Sequence, residues 1–135
     1  MQPFRFLDVA SGTGALWPFL IEQATNRNMT LHIQGVDLSP RMVEHAQQHA
    51  DSLLSGETRL SHTVQVLCQD IMEYNAPLVS LSDGEEQDNA TTAGTPLFHD
   101  AVICNACWAN FYSPEAVLRH IGNNLLQSHM SAKGK

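Results

Sequence analysis

Four acidic or amide positions recur beside turns at a spacing that suggests a ligand site. Asp8 precedes the run Val9-Ala10-Ser11-Gly12-Thr13-Gly14, where two glycines two apart permit a tight turn and leave the backbone N–H groups unhindered. Asp37 follows Gly14 by 23 residues, and Asp70 and Asn105 close two later apolar runs. Backbone N–H groups at such a turn, backed by the positive end of a following helix, can cradle part of a nucleotide-like ligand. A carboxylate about 20 residues further on is placed to accept hydrogen bonds from ribose hydroxyls. Each signal alone has a plainer explanation, since glycine turns join many strands to helices and aspartate commonly caps a helix or a turn. Their joint placement gives the ligand reading its weight.

Alternating strands and helices must position these residues. Phe4, Phe6 and Leu7 mark a first strand, and Leu16, Phe19, Leu20 and Ala24 keep helical spacing after the turn. Pro18 falls in the first helical turn, where its missing N–H costs nothing. Residues 30–37 read as a second strand, and Ser39-Pro40 opens a second helix with the stripe Met42, Ala46, Ala50 and Leu53, stopped by Gly56. Residues 63–69, rich in β-branched side chains, predict a third strand. Residues 98–104 predict a fourth, continuously apolar after Asp100, and Ser113-Pro114 starts a last helix carrying Val117, Leu118, Ile121 and Leu125. This alternation predicts an α/β fold with a parallel sheet, in which ligands bind beyond the carboxyl ends of the strands. Asp8, Asp37, Asp70 and Asn105 all fall at that edge.

Two nucleotide classes use an acid on the second strand. The dinucleotide fingerprint needs a third glycine for close helix–sheet packing, and that position is Trp17, so NAD binding is disfavoured. The stretch F-L-D-V-A-S-G-T-G resembles motif I of class I S-adenosylmethionine-dependent methyltransferases, with Ala10 replacing the first glycine as in the ubiquinone/menaquinone-biosynthesis-like (methyltransferase type 11) branch. G-V-D-L-S-P-R-M resembles the second motif, V-L-C-Q-D-I-M the third and F-H-D-A-V-I-C-N-A the fourth, over residues 4–128. The resemblance implies S-adenosyl-L-methionine as cofactor. Its amino-acid end would lie on Asp8, Ala10, Ser11, Gly12 and Gly14, its ribose on Asp37, and its adenine between Leu38 and Ile71 with the amine on Asp70. Asn105 and Ala106 would meet the methionine end.

The resemblance also implies helices before the first strand, and a fifth strand plus a final antiparallel pair after the four strands read here. The chain starts almost at the first strand and ends at Lys135. It therefore reads as a single, partial Rossmann-like domain with strand order 3-2-1-4, the later strands missing. A fourth strand left as an edge invites self-association. Residues 77–96 hold Asp83, Glu85, Glu86 and Asp88 with no basic residue, and read as a mobile acidic surface insertion.

The 135 residues carry 14 acids against 7 Lys plus Arg, a formal charge of −7. An acidic chain without a basic run is a poor match for a nucleic-acid backbone, and Asn105 is not followed by the Pro-Pro-aromatic run of nucleic-acid amino-methyltransferases. No stretch reads as a membrane span or secretory signal, and three cysteines, read as reduced thiols, make no disulfide framework. These features predict an intracellular protein of the cytoplasm or an organelle. Cys104-x-x-Cys107 is placed where a strand leaves the sheet and lacks two further zinc ligands, so core or pocket-lining cysteines are favoured. His45 and His49 read as a solvated helix face. Trp108, Phe111 and Tyr112 either line an acceptor pocket or pack their loop. The expected activity is methyl transfer to a small molecule, weak or absent in this chain alone. No general base can be named; His99, His120 and Tyr112 qualify by chemistry only. The alternative is a non-catalytic cofactor-binding or interaction module, or an inactive fragment, on the same fold.

Overall fold

The computed structural model describes residues 2–56, 62–79, 94–105 and 111–127. Strand β1 (Phe4–Val9) leads through the glycine turn into α1 (Trp17–Asn26), β2 (Leu31–Asp37), α2 (Pro40–Leu53) and β3 (Thr63–Cys68). Two short strands follow, β4 (Leu78–Val79) and β5 (Thr95–Pro96), and then β6 (Ala101–Ile103), α3 (Pro114–His120) and a π-helical turn over Ile121–Leu125. The main sheet runs β3-β2-β1-β6 with every neighbour parallel. With β6 as the fourth sheet strand, this is the α/β architecture and the 3-2-1-4 order expected from the sequence.

Strand periodicity divides the core in two. Phe4 and Phe6 join Leu31, Ile33 and Val64 on the face covered by α1 and α2, where Trp17, Ile21, Ala24, Ala46 and Ala50 pack. Leu7, Val9 and Val36 face the other way, against Ile71, Tyr74, Val117, Ile121 and Leu125. The register is fixed by Phe6 opposite Ile33 and by Val36 opposite both Val9 and Leu67. The carboxyl ends of β1, β2 and β3 thereby come level.

Several expectations need correction. In α1 the buried residues are Trp17, Ile21 and Ala24, whereas Phe19 is 60% exposed. The helix begins at Trp17 with Leu16 as its N-cap, and the face it buries centres on the indole, Ile21 and Ala24. Met42 and Leu118 are likewise exposed. The fourth sheet strand covers three residues rather than seven: Asp100 exchanges hydrogen bonds with the Arg5 backbone, so pairing with β1 starts only at Ala101 opposite Phe6. The ends of the predicted acidic insertion form an antiparallel ladder, Leu78 opposite Pro96 and Val79 opposite Thr95; residues 80–93, with all four acids, lie outside the described residues. Cys104 is disulfide-bonded rather than a reduced thiol, while Cys68 is free and exposed. The predicted open edge is engaged at its start by the chain itself: Leu126 bridges His99 in parallel, and Gln127 donates to the His99 carbonyl at 2.7 Å.

His99 is fully buried and its Nε2 pairs with the Tyr74 hydroxyl at 2.8 Å. Its Nδ1 has no partner. Burial, with smaller contributions from Arg5 and His32, pushes its pKa down to about 4. A histidine depressed on folding contributes stability above its unfolded value, near 6.5, and loses it as pH falls toward 4. Replacing Tyr74 with Phe strands a second buried nitrogen, so Tyr74→Phe is expected to cost about 1–3 kcal/mol in urea unfolding at pH 7.

Candidate functional site

The site begins where β1 ends. Ala10, Gly12 and Gly14 all take positive φ values, 53°, 56° and 75°, so the backbone reverses within five residues. Ser11 N–H donates to the Val36 carbonyl at 3.2 Å, and Gly14 N–H to the Ser11 carbonyl at 3.0 Å, which ties the turn to β2 and to itself. A Cβ at Gly12 would meet nothing within 4 Å, leaving the outer face of the turn open to a ligand. A Cβ at Gly14 would lie 2.2 Å from Trp17 Cε3, so there the missing side chain makes room for the indole. Ala10 holds the same left-handed conformation with a side chain, at a cost of roughly 1–2 kcal/mol.

Asp37, at the end of β2, joins the turn to the second helix. Its Oδ2 accepts from Gly12 N–H at 2.8 Å and its Oδ1 from Ser39 N–H at 2.9 Å. Ser39 then caps α2, its hydroxyl accepting from Met42 N–H at 3.3 Å. The turn role considered for this acid, a side-chain bond to the N–H two residues on, is thus present together with a bond to the glycine turn. A carboxylate has about four acceptor positions, so two remain for a ligand.

Beside this junction lies a cavity of about 520 Å³, within the range of small-ligand pockets. Ala10, Asp37, Leu38, Asp70 and Ile71 line it, as do Val9, Val36, Met72, Phe111, Tyr112 and Val117. Ile71 is buried as a floor, whereas Leu38 is 70% exposed at the rim. Asp70 Oδ1 accepts from Met72 N–H at 3.0 Å, which fixes its turn after β3. Five of the predicted residues therefore share one cavity, and Asp8, Ser11, Gly12 and Gly14 form the adjoining turn. Asn105 is exposed and is not among the lining residues, and Ala106 lies outside the described residues. Ser11 Oγ is buried without a partner and faces Gly35, so its contribution to the cradle is its backbone.

Asp8 is only 5% exposed, and its Oδ2 accepts from Trp17 Nε1 at 2.8 Å. Burial raises its pKa to about 6; the indole bond opposes the rise and the Asp37 charge adds to it. An acid raised on folding destabilises the folded state at pH values above 6 and ceases to do so as pH falls toward 4. This gain overlaps the window in which His99 loses stability, and the two partly cancel.

Three contributors went unrecognised in the sequence. Trp17 reads there only as an obstacle to a third glycine, yet its ring fills the space beneath the turn. His49 reads as solvated, yet its Nδ1–H donates to the Thr13 carbonyl at 2.8 Å and its ring stacks on Trp17 at 6.0 Å. Gly35, an isolated glycine inside a strand, is a legible signal of close approach. Of the candidate bases, His99 is held by Tyr74, and His120 bonds the Tyr74 carbonyl and Asn124, leaving Tyr112 at the cavity.

Ala10→Gly relieves the left-handed strain and is expected to raise stability by about 1 kcal/mol, read as a higher Tm. Asp8→Asn keeps an acceptor for the indole while removing the buried charge. It is expected to stabilise the chain by roughly 1–3 kcal/mol at pH 8 and by much less at pH 4, in urea unfolding at both pH values.

A family described as methyltransferase domain matches residues 6–126, most of the chain. No curated protein sequence matches significantly. Among solved structures, a SAM-dependent methyltransferase from Aquifex aeolicus is similar with a TM-score of 0.60 and 16% identity, over 91% of this chain and 51% of that one. Magnesium protoporphyrin IX methyltransferase from Synechocystis, with bound SAM, gives 0.56 and 16%, over 97% and 56%. The [4+2]-cyclase SpnF gives 0.57 and 22%, over 92% and 35%. The chain thus spans about half or less of the length of these structures, and at such identities they establish the fold alone. The family match and the parallel β3-β2-β1-β6 sheet agree: the chain belongs to the methyltransferase-domain family, on the class I S-adenosylmethionine-dependent methyltransferase fold.

Proposed function

We propose that this chain binds S-adenosyl-L-methionine at the glycine turn and the adjoining cavity, and serves methyl transfer to a small-molecule acceptor. The observation that carries the reading is the meeting of Asp37 with the Gly12 amide at the mouth of a largely apolar cavity. The residues present fit the group. Gly12 leaves open space at the turn, Leu38, Ile71 and Met72 offer apolar walls for a purine, and Asp37 keeps acceptor capacity for ribose hydroxyls. Asp70 would take the adenine amine, and Asp8, beside the turn, would balance the ammonium group of the amino-acid end. Asn105 and Ala106 remain part of the proposal on the family resemblance.

Bound there, the cofactor supplies a methyl group activated on a cationic sulfur. The chain's own contribution is to orient that group, exclude water and hold an acceptor in line, which can supply much of a rate enhancement. Phe111 and Tyr112 form the wall nearest α3 and would face the acceptor. A second reading, cofactor binding without turnover, is favoured by one observation: among the described residues the cavity is lined by no histidine, and His99 and His120 are both engaged elsewhere.

Asp37→Asn removes the charge and keeps one acceptor. It is expected to weaken S-adenosylhomocysteine binding about 10- to 100-fold in titration calorimetry, with circular dichroism unchanged. Wild-type affinity in the variant removes Asp37 from the site. No binding by the monodisperse wild-type chain overturns the cofactor assignment. Binding without turnover on a panel of acceptors favours the second reading.

A further inference from the structure

Beneath the glycine turn, Trp17 and His49, which the cofactor reading does not use, form a connected set with Asp8. Trp17 is fully buried, and its ring passes through the space that two glycines leave empty. A Cβ at Gly14 would fall 2.2 Å from its Cε3 and one at Gly35 3.1 Å from its Cζ2. One side of the indole contacts the acid through Nε1 to Asp8 Oδ2 at 2.8 Å. His49 of α2 stacks on the ring with an interplanar angle of 14° and donates to the Thr13 carbonyl inside the turn. The turn is thus held from below by an aromatic pair from α1 and α2, with the acid attached to that pair.

We propose that Trp17 is a positioning residue for the α-ammonium group of the cofactor's amino-acid end, its indole N–H fixing the Asp8 carboxylate while its ring, stacked on His49, supports the Ser11–Gly14 turn. This inference rests on the cofactor reading above. The physical logic is that a buried carboxylate must be ionised to receive a cation. Burial and the Asp37 charge oppose ionisation, and the Trp17 hydrogen bond favours it. Besides Asp37, the elements packed around Asp8 bring one further titratable side chain among the described residues: β2 places Gly35 and β6 places Ile103 opposite it, α1 contributes the indole, and α2 contributes His49 across the indole. Affinity for a ligand that places an ammonium group at Asp8, as S-adenosylhomocysteine would, then falls below about pH 6 in the wild type, because protonated Asp8 offers no charge.

The experiment has a ligand-free arm and a binding arm. In the ligand-free protein, the Trp17 indole N–H resonance is expected to titrate with a midpoint near 6, and to lose that titration in Asp8→Asn. A flat wild-type indole signal overturns the contact. In the binding arm, calorimetry with S-adenosylhomocysteine is run from pH 5 to 8 on wild type, Trp17→Phe and Asp8→Asn. Trp17→Phe keeps an aromatic ring and removes the donor, so its binding midpoint is expected to move up by about one unit. Its affinity then drops about fivefold at pH 6 and recovers toward wild type at pH 8. Asp8→Asn is expected to bind weakly at every pH with a flat profile. If Trp17→Phe fails to fold, His49→Gln, which keeps a donor for Thr13 while losing the stacked ring, is expected to weaken binding severalfold at pH 8. An unmoved midpoint in folded Trp17→Phe, a loss equal at all pH values, or wild-type affinity in His49→Gln overturns the positioning role. No wild-type binding at any pH, with the indole titration intact, overturns the cofactor reading rather than the contact.

Discussion

One carboxylate ties the site together. Asp37 accepts from Gly12 in the turn after β1 and from Ser39 at the start of α2, so a single side chain sets the relation between the first two strand–helix connections. Parallel sheets bring such connections level only when neighbouring strands stay in register. Here Val9 opposite Val36 and Val36 opposite Leu67 does this. The open face of the glycine turn, the rim at Leu38 and the acid at Asp70 follow from that alignment. Hydrogen bonds to a charged acceptor are stronger than neutral ones, which suits a junction that must hold three left-handed residues in place.

The same edge concentrates unfavourable terms. Ala10 is left-handed without being glycine, and Asp8 is buried next to a second carboxylate. Local strain and an uncompensated acid persist where the surrounding structure over-determines them, and they commonly mark functional sites. In this chain the over-determination comes from Trp17, which fills the volume beneath the turn and supplies a donor that favours the ionised acid. The two core clusters lie on opposite faces of the sheet, and each reaches the site through one wall: Trp17 from the first, Ile71 and Val117 from the second.

The strand order, the turn and the acids were legible in the sequence because period-two and helical patterns, glycine pairs and strand-end acids are local signals. The helix stripe of α1 was not, because the indole at its first turn is buried by tertiary packing against Gly14 and Gly35, which no helical wheel reports. The fourth sheet strand was overlong in the reading, since a backbone exchange between Asp100 and Arg5 delays its pairing. His49 was misjudged because a histidine on an otherwise polar helix face looks solvated until the turn it contacts is in place. At Trp17 an indole lies where the dinucleotide fingerprint has a third glycine that lets helix and sheet close up. The family match and the similarity to class I methyltransferase structures agree with the motif order read from the residues, and leave the acceptor to experiment.

The most direct measurement is an amide-resolved NMR titration of the full chain with S-adenosylhomocysteine. A cofactor seated at the Asp37 junction shifts the amides of Ala10–Gly14, Leu38–Ser39 and Asp70–Met72 together with one saturation curve, while the amides of Tyr74 and His99, beyond the cavity, stay in place. Shifts centred elsewhere, or a Gly12 amide that does not move at saturating ligand, would contradict the assignment of this turn as the cofactor cradle.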